Sequence, residues 1–190
     1  MMSNRTPTVD PTQPMRAYLL GPFEIAGPHE VMDTAAWRSQ QNRTILKVLL
    51  IHRRHVVTSD QLLDLLWPDE APDATRPRLY VRMSQIRRML DPEHPQGSIQ
   101  SLDGGYRFEP DPGWWIDADL FEAAAEQGRR AQEDGDLTAA IGAYEEARRL
   151  YRGDLLEADR YADWAFGERE RLLERYLTMV TEMAEAYAQQ

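Results

Sequence analysis

The sequence predicts an α+β domain followed by an all-α helical domain. Short segments of β-type residues interleave with helical segments only before residue 110, and long stretches of helical periodicity follow. The charge changes at the same point. Residues 1–110 carry 13 basic and 13 acidic side chains, whereas residues 111–190 carry 9 basic and 19 acidic ones. The whole net charge of −10 therefore belongs to the C-terminal part of the chain.

The composition sets the expected boundaries and excludes several classes of protein. We expect a disordered arm over residues 1–14, the α+β domain over 15–110, a linker over 111–116 and the helical domain over 117–190. The chain has no cysteine, so disulfides and thiolate metal sites are excluded. Residues 1–14 have no apolar region of the kind a secretory signal needs, and no apolar run approaches the ~20 residues of a membrane span. A cytoplasmic protein is the simplest expectation.

Local patterns predict the elements of the α+β domain in a definite order. Strands are expected at 17–20, 23–25 and 30–32, helices at 41–52, 58–67 and 75–90, and a β-hairpin over 98–109 with glycines in its turn. Thr58 and Gln61 fit a capping box, and Pro77 is expected in the first turn of helix 75–90. Strands, three helices and a hairpin are the order of a winged helix-turn-helix, whose third helix enters the DNA major groove.

Helix 75–90 has two distinct faces. Leu79, Met83, Ile86 and Leu90 form an apolar stripe, and the opposite face carries side chains suited to base readout. Guanidinium groups suit guanine or phosphate, an amide suits adenine, and a small apolar group suits the thymine methyl. The expected DNA-binding residues are Arg78, Val81, Arg82, Ser84, Gln85 and Arg88 on this helix, Arg107 on the wing, and Arg38, Arg43, Arg53 and Arg54 as further phosphate contacts.

A basic stripe lies inside this otherwise acidic chain. Residues 38–88 contain ten basic side chains against five acidic ones, and residues 76–88 contain five arginines and no acid. Such a stripe is typical of an electrostatic footprint for nucleic acid. The alternative is a solvated helix face balanced by neighbouring charges.

Five segments of the first domain form a pattern: LLGPFEI (19–25), WRSQQ (37–41), LLDLLWP (62–68), VRMSQIRRML (81–90) and GGYRF (104–108). Together they resemble the OmpR/PhoB-type winged helix of the Streptomyces antibiotic regulatory proteins, the SARP family. One position departs from the family pattern, which has a basic residue after the helix serine where this chain has Gln85.

The second domain is similar to the bacterial transcriptional activation domain that follows the winged helix in that family. The similarity rests on LYRGDLL (150–156), Trp164 and RLL (171–173). Small residues at Gly128, Ala140 and Ala147 also have the spacing of a tetratricopeptide repeat. Helices are expected over 117–134, 136–151 and 163–189. The last has an apolar stripe without a partner, so we expect either a truncated domain or a face covered by dimerisation.

The resemblance implies a sequence-specific transcriptional regulator, an activator, that binds promoter direct repeats as a homodimer through helix 75–90. It also implies contact with RNA polymerase, with the acidic loop 69–73 as a candidate surface. The alternative is a protein-interaction adaptor whose winged helix no longer binds DNA. An enzyme is not expected, because no nucleophile, base or cofactor motif converges. We interpret His52 and His55 as cations near the end of a helix rather than as metal ligands. No metal or cofactor is therefore expected.

Overall fold

The computed structural model describes residues 14–27, 35–91, 94, 97–110 and 113–190. The expected arm before Pro14 and the expected strand at 30–32 lie outside these residues. The described elements, in chain order, are β1 (Met15–Tyr18), β2 (Glu24–Ala26), α1 (Ala35–Arg38), α2 (Gln40–Ile51), β3 (Val56–Thr58), α3 (Ser59–Leu66), α4 (Pro72–Leu90), β4 (Ile99–Leu102), β5 (Gly105–Phe108), β6 (Trp114–Ile116), α5 (Asp117–Glu133), α6 (Leu137–Leu150) and α7 (Asp163–Gln189).

The chain divides into two compact units. The described residues of 14–15 and 26–114 form the first unit, and residues 16–25 and 115–190 form the second. The first is the winged helix, in which α1 to α4 are followed by a sheet of order β3-β5-β4. Both pairings in this sheet are antiparallel. The second is the helical unit of α5, α6 and α7, so the predicted fold class is confirmed.

The apolar stripe of α4 lies in the core of the winged helix, as the periodicity predicts. Leu79, Met83, Ile86 and Leu90 are all buried, and α4 lies against α1, α2 and α3. Complete burial of one such side chain is worth ~1.5–3 kcal/mol. The helix is therefore held by one face, which leaves the opposite face at the surface.

The start of α4 differs from the sequence prediction. The helix begins at Pro72 rather than at residue 75, so Pro77 lies inside it and not in its first turn. Pro72 takes the first helical position, where a missing N–H costs nothing. Thr75 Oγ1 donates to the carbonyls of Ala71 and Pro72 at 3.3 and 3.2 Å. The interior proline removes one backbone hydrogen bond, and burial of the stripe compensates for it.

The cap of α3 and the wing form as predicted. Thr58 Oγ1 accepts from the Gln61 N–H at 3.1 Å, and Gln61 Oε1 accepts from the Thr58 N–H at 2.9 Å. In the hairpin turn, Gly104 has φ +78°, which favours glycine. Gly105 lies so close to β3 that a Cβ would sit 2.3 Å from the Val57 carbonyl oxygen. Both glycines are therefore required by the geometry of the wing.

Close packing of α5 and α6 defines the helical unit. A Cβ at Gly128 would lie 2.5 Å from the ring of Tyr144, so only glycine lets the two helices approach this closely. Ala140, Ala147 and Tyr144 are fully buried, in agreement with the small-residue spacing of the sequence. Arg169 of α7 donates to the carbonyls of Leu155, Asp159 and Arg160, and so fixes the preceding loop. Within the described residues, no helix is long and apolar enough to cross a membrane.

Residues 16–25, which the sequence groups with the winged helix, pack in the helical unit. Asp117, at the start of α5, is buried and accepts from the N–H groups of Leu19 at 2.7 Å, Leu20 at 3.0 Å and Ala118 at 2.8 Å. Burial raises the pKa of this carboxyl, while the three N–H groups and Arg152 act in the opposite direction. The buried carboxylate ties the N-terminal segment to α5.

Candidate nucleic-acid interface

The outer face of α4 carries a row of four side chains. Val81, Ser84, Gln85 and Arg88 are spaced three and four residues apart, which places them on one side of the helix. Val81 is 55% exposed, Ser84 and Arg88 are exposed, and Gln85 is half-buried. Among the described residues, Arg88 forms no hydrogen bond or ion pair. The row therefore presents hydrogen-bonding and cationic groups to solvent.

Two arginines near the start of α4 are held by carboxylates. Arg78 Nη1 lies 2.8 Å from Glu70 Oε1, with its guanidinium 5.8 Å from the Trp67 ring centre. Arg76 Nη2 lies 3.2 Å from Asp60 Oδ1. All four charged side chains are exposed, and such pairs contribute only ~0–1 kcal/mol each. A phosphate could replace either carboxylate at little cost.

The middle of the face is organised by α2 and its N-cap. Asn42 Nδ2 donates to Gln85 Oε1 at 3.2 Å, and Arg82 Nη1 donates to the same oxygen at 3.4 Å. Arg82 Nη1 also lies 3.5 Å from the hydroxyl oxygen of Ser39, which caps α2. Arg82 and Gln85 are thus linked to each other and to the start of α2.

The wing is attached to α4 by Arg87. Its Nε donates to the Ile99 carbonyl at 3.0 Å, its Nη2 donates to Ser101 Oγ at 2.9 Å, and its guanidinium lies 5.7 Å from the centre of the Tyr106 ring. Partial burial lowers the pKa of Arg87 and raises that of Tyr106. A groove of about 380 Å³ runs beside this attachment, lined by residues that include Tyr80, Ser84 and Arg88.

The expected contact on the wing is already engaged. Arg107 pairs with Glu109, and its Nη2 donates to Gln100 Oε1 at 3.1 Å. Arg107 would have to leave Glu109 to reach a phosphate.

The remaining expected phosphate contacts lie in different environments. Arg38 and Arg54 are exposed. Arg43 is half-buried and donates to the Trp37 carbonyl at 3.1 Å. Arg53 is 9% exposed and donates to the Leu50 carbonyl at 3.0 Å, so its guanidinium points into the protein. Arg38 and Arg54 are therefore the most exposed of these four arginines.

Sequence reasoning missed three residues that shape this face. Ser39 and Asn42 support Arg82 and Gln85, and Arg87 joins the wing to α4. Asn42 could have been noticed as a polar residue on the apolar side of α2, three and four positions before Ile45 and Leu46. For Ser39 and Arg87, the sequence offers no comparable signal.

Both halves of the chain match known families. Residues 34–108 match the family described as transcriptional regulatory protein, C terminal, and residues 116–190 match the bacterial transcriptional activator domain. The regulatory protein DnrI of Streptomyces peucetius is 30% identical over 75% of this chain. AfsR of Streptomyces coelicolor is 29% identical over 70% of it. The chain is a winged-helix and activator-domain protein of the SARP type.

A solved structure agrees with this assignment. EmbR of Mycobacterium tuberculosis, determined in complex with a low-affinity phosphopeptide, superposes on 92% of the chain with a TM-score of 0.75 and 25% identity. The SARP-type chain spans 53% of DnrI, 13% of AfsR and 45% of the EmbR chain. Both DnrI and AfsR are named as regulatory proteins.

Proposed function

We propose that the chain is a cytoplasmic, sequence-specific DNA-binding regulator that activates transcription, with α4 inserted in the major groove of promoter direct repeats. The exposed row on α4 carries this proposal, because the opposite face of the same helix is buried and residues 76–88 contain no carboxylate. An α-helix with its side chains is ~10–12 Å across, and the major groove is ~12 Å wide.

The residues of the face divide by chemistry. Arg78, Arg82 and Arg88 would contact phosphates or guanines, Val81 would pack on a thymine methyl, and Gln85 would read a base edge. Ser84 would donate to a phosphate or a base. Arg38 and Arg54, which are exposed, would add phosphate contacts. Arg43 and Arg107 would add theirs by leaving the Trp37 carbonyl and Glu109. The buried Arg53 is left out of the interface.

The helical unit would act away from the duplex. Residues 111–190 carry the entire net charge of −10, which DNA phosphates repel. Exposed apolar side chains on α7, namely Phe166, Leu177 and Tyr187, support contact with a second copy of the chain. Contact with RNA polymerase, including through the loop 69–73, rests on the family resemblance.

Salt-dependent binding tests the proposal. The full chain is first used to enrich a duplex from a randomised library, and its affinity for that duplex is then measured by fluorescence anisotropy over a series of salt concentrations. Replacing Arg82 and Arg88 by alanine should weaken binding and make the slope of log K against log [salt] shallower by about 1.8, or ~0.9 per lost phosphate contact. If the native chain enriches no duplex and shows no salt-dependent binding, the adaptor function replaces the regulator.

A further inference from the structure

The side chain of Gln85 is held by two donors that meet at one atom. Asn42 Nδ2 and Arg82 Nη1 lie 3.2 and 3.4 Å from Gln85 Oε1. A guanidinium has only donors, so the atom that faces Arg82 must be the oxygen of the amide. The two donors therefore determine which end of the Gln85 amide faces them, namely the oxygen.

Of the two donors, Asn42 is held in place by its burial in the fold. Asn42 is fully buried in the first turn of α2, where its backbone N–H donates to the capping hydroxyl of Ser39 at 3.4 Å. Gln85 lines an open groove together with Val81 and Arg82. Its Nε2 forms no hydrogen bond within the part of the chain that the structure describes. The oxygen is engaged within the protein, and the two N–H groups of the amide are available.

This orientation changes what Gln85 can read. Glutamine recognises adenine by accepting from N6 and donating to N7 at the same time, which needs both ends of its amide. A carbonyl oxygen has two lone pairs, and here two donors occupy them. Pairing with adenine through both ends would require the oxygen to leave Asn42 and Arg82.

We infer that Gln85 reads DNA as a donor only, through acceptor atoms such as guanine O6, thymine O4 or a purine N7, and not through an exocyclic amino group. The inference rests on the proposed DNA-binding function and replaces the adenine pairing that the amide alone suggests. Val81, one turn before Gln85 and 55% exposed, would add contact with a thymine methyl when the acceptor is O4.

The test uses base analogues that delete one functional group at a time. The native chain and the Gln85→Met variant are each used to enrich duplexes from a randomised library, and the base pair whose preference is lost in the variant is the one that Gln85 reads. At that pair, 2-aminopurine in place of adenine, or 2-pyrimidinone in place of cytosine, deletes the major-groove amino group. A 7-deazapurine deletes N7, and 4-thiothymine or 6-thioguanine weakens the keto acceptor.

We expect the native chain to bind the amino-deleted duplex within about twofold of the parent duplex. At least one acceptor analogue should weaken its binding about tenfold, a loss typical of one hydrogen bond to a base edge, while Gln85→Met should not respond to that analogue. If deleting the amino group weakens the native chain and leaves Gln85→Met unaffected, the inference is overturned.

A second variant changes the groups that face the Gln85 amide, so that an acceptor replaces the two donors. In the double variant Asn42→Asp/Arg82→Met, residue 42 only accepts and no guanidinium faces Gln85, so the Gln85 amide should turn its N–H groups inward and its oxygen outward. Sensitivity to amino-group deletion, measured as the ratio of affinities for the parent and analogue duplexes, should then appear. Because Asn42 is fully buried, this variant is first checked for folding by circular dichroism, and the Gln85→Met comparison does not depend on it. A folded double variant with unchanged sensitivity contradicts the inference.

The outcomes separate the inference from the function on which it rests. If the native chain enriches no sequence, the proposed function fails and the inference fails with it. If the chain enriches a sequence but Gln85→Met changes no base preference, only the role of Gln85 is overturned.

Discussion

Replacing Arg88 with alanine should remove one phosphate contact without disturbing the winged helix. Arg88 is exposed and forms no hydrogen bond or ion pair with the described residues. The next residue offers a matched control, because Arg87 carries the same charge but donates to Ile99 and Ser101 of the wing. The two variants lose the same charge from neighbouring positions with different roles.

The expected magnitudes follow from these environments. Loss of one phosphate contact makes the slope of log K against log [salt] shallower by ~0.9, which corresponds to about eightfold weaker binding near 0.1 M salt. Arg88→Ala should leave the free energy of unfolding within ~0.5 kcal/mol of the native value, as surface substitutions do. Arg87→Ala should keep the native slope but lose ~1–3 kcal/mol of stability, because two hydrogen bonds disappear.

Anisotropy titrations of a labelled, library-enriched duplex over a salt series give the slopes, and urea denaturation gives the stabilities. A phosphate contact by Arg88 is refuted if Arg88→Ala has the native slope. It is equally refuted if Arg87→Ala is as stable as the native chain and shows the shallower slope, because the two arginines would then have exchanged roles.

Three further predictions concern the helical unit. Asp117→Ala should lower the free energy of unfolding by about 3 kcal/mol or more, since the N–H groups of Leu19, Leu20 and Ala118 lose their buried acceptor; urea denaturation of Asp117→Ala beside Asp119→Ala checks this. Burial raises the pKa of Asp117, so the folded state binds this proton more tightly than the unfolded state does. The contribution of Asp117 to the free energy of unfolding should therefore fall as the pH rises from about 3.8 through the raised pKa. Asp117→Asn should not show this fall. Leu177→Arg should shift a dimer to monomer in light scattering, and an unchanged mass would exclude this face of α7 from the interface.

Local patterns predicted most of the fold, because they depend on residues close together in the chain. The buried stripe of α4, the Thr58–Gln61 cap and the glycines of the wing all follow from spacings of a few residues. The start of α4 was misjudged because Pro77 suggested a first turn, whereas tertiary packing tolerates the proline inside the helix.

Contacts between distant residues could not be predicted from spacing. Gln85 is oriented by Asn42, which lies 43 positions earlier, and its preference for donation follows from that contact. Asp117 binds Leu19 and Leu20 nearly 100 positions away, which draws the N-terminal strands into the helical unit. The sequence indicated the candidate DNA-binding residues by their chemical type and by their position on one face of a helix. The structure shows which of them are hydrogen-bonded or ion-paired, which are exposed and which are buried.

Tethered cleavage tests most directly whether the outer face of α4 lies in the major groove. The chain has no cysteine, so Val81→Cys provides a single attachment point for an iron chelate that cuts nearby DNA, and Tyr161→Cys, at a position 90% exposed in the helical unit, is the control. We expect strand cleavage from position 81 inside the protected sequence, in the pattern of a major-groove reagent, and much weaker cleavage from position 161. Cleavage from position 81 no stronger than from position 161 would contradict this expectation.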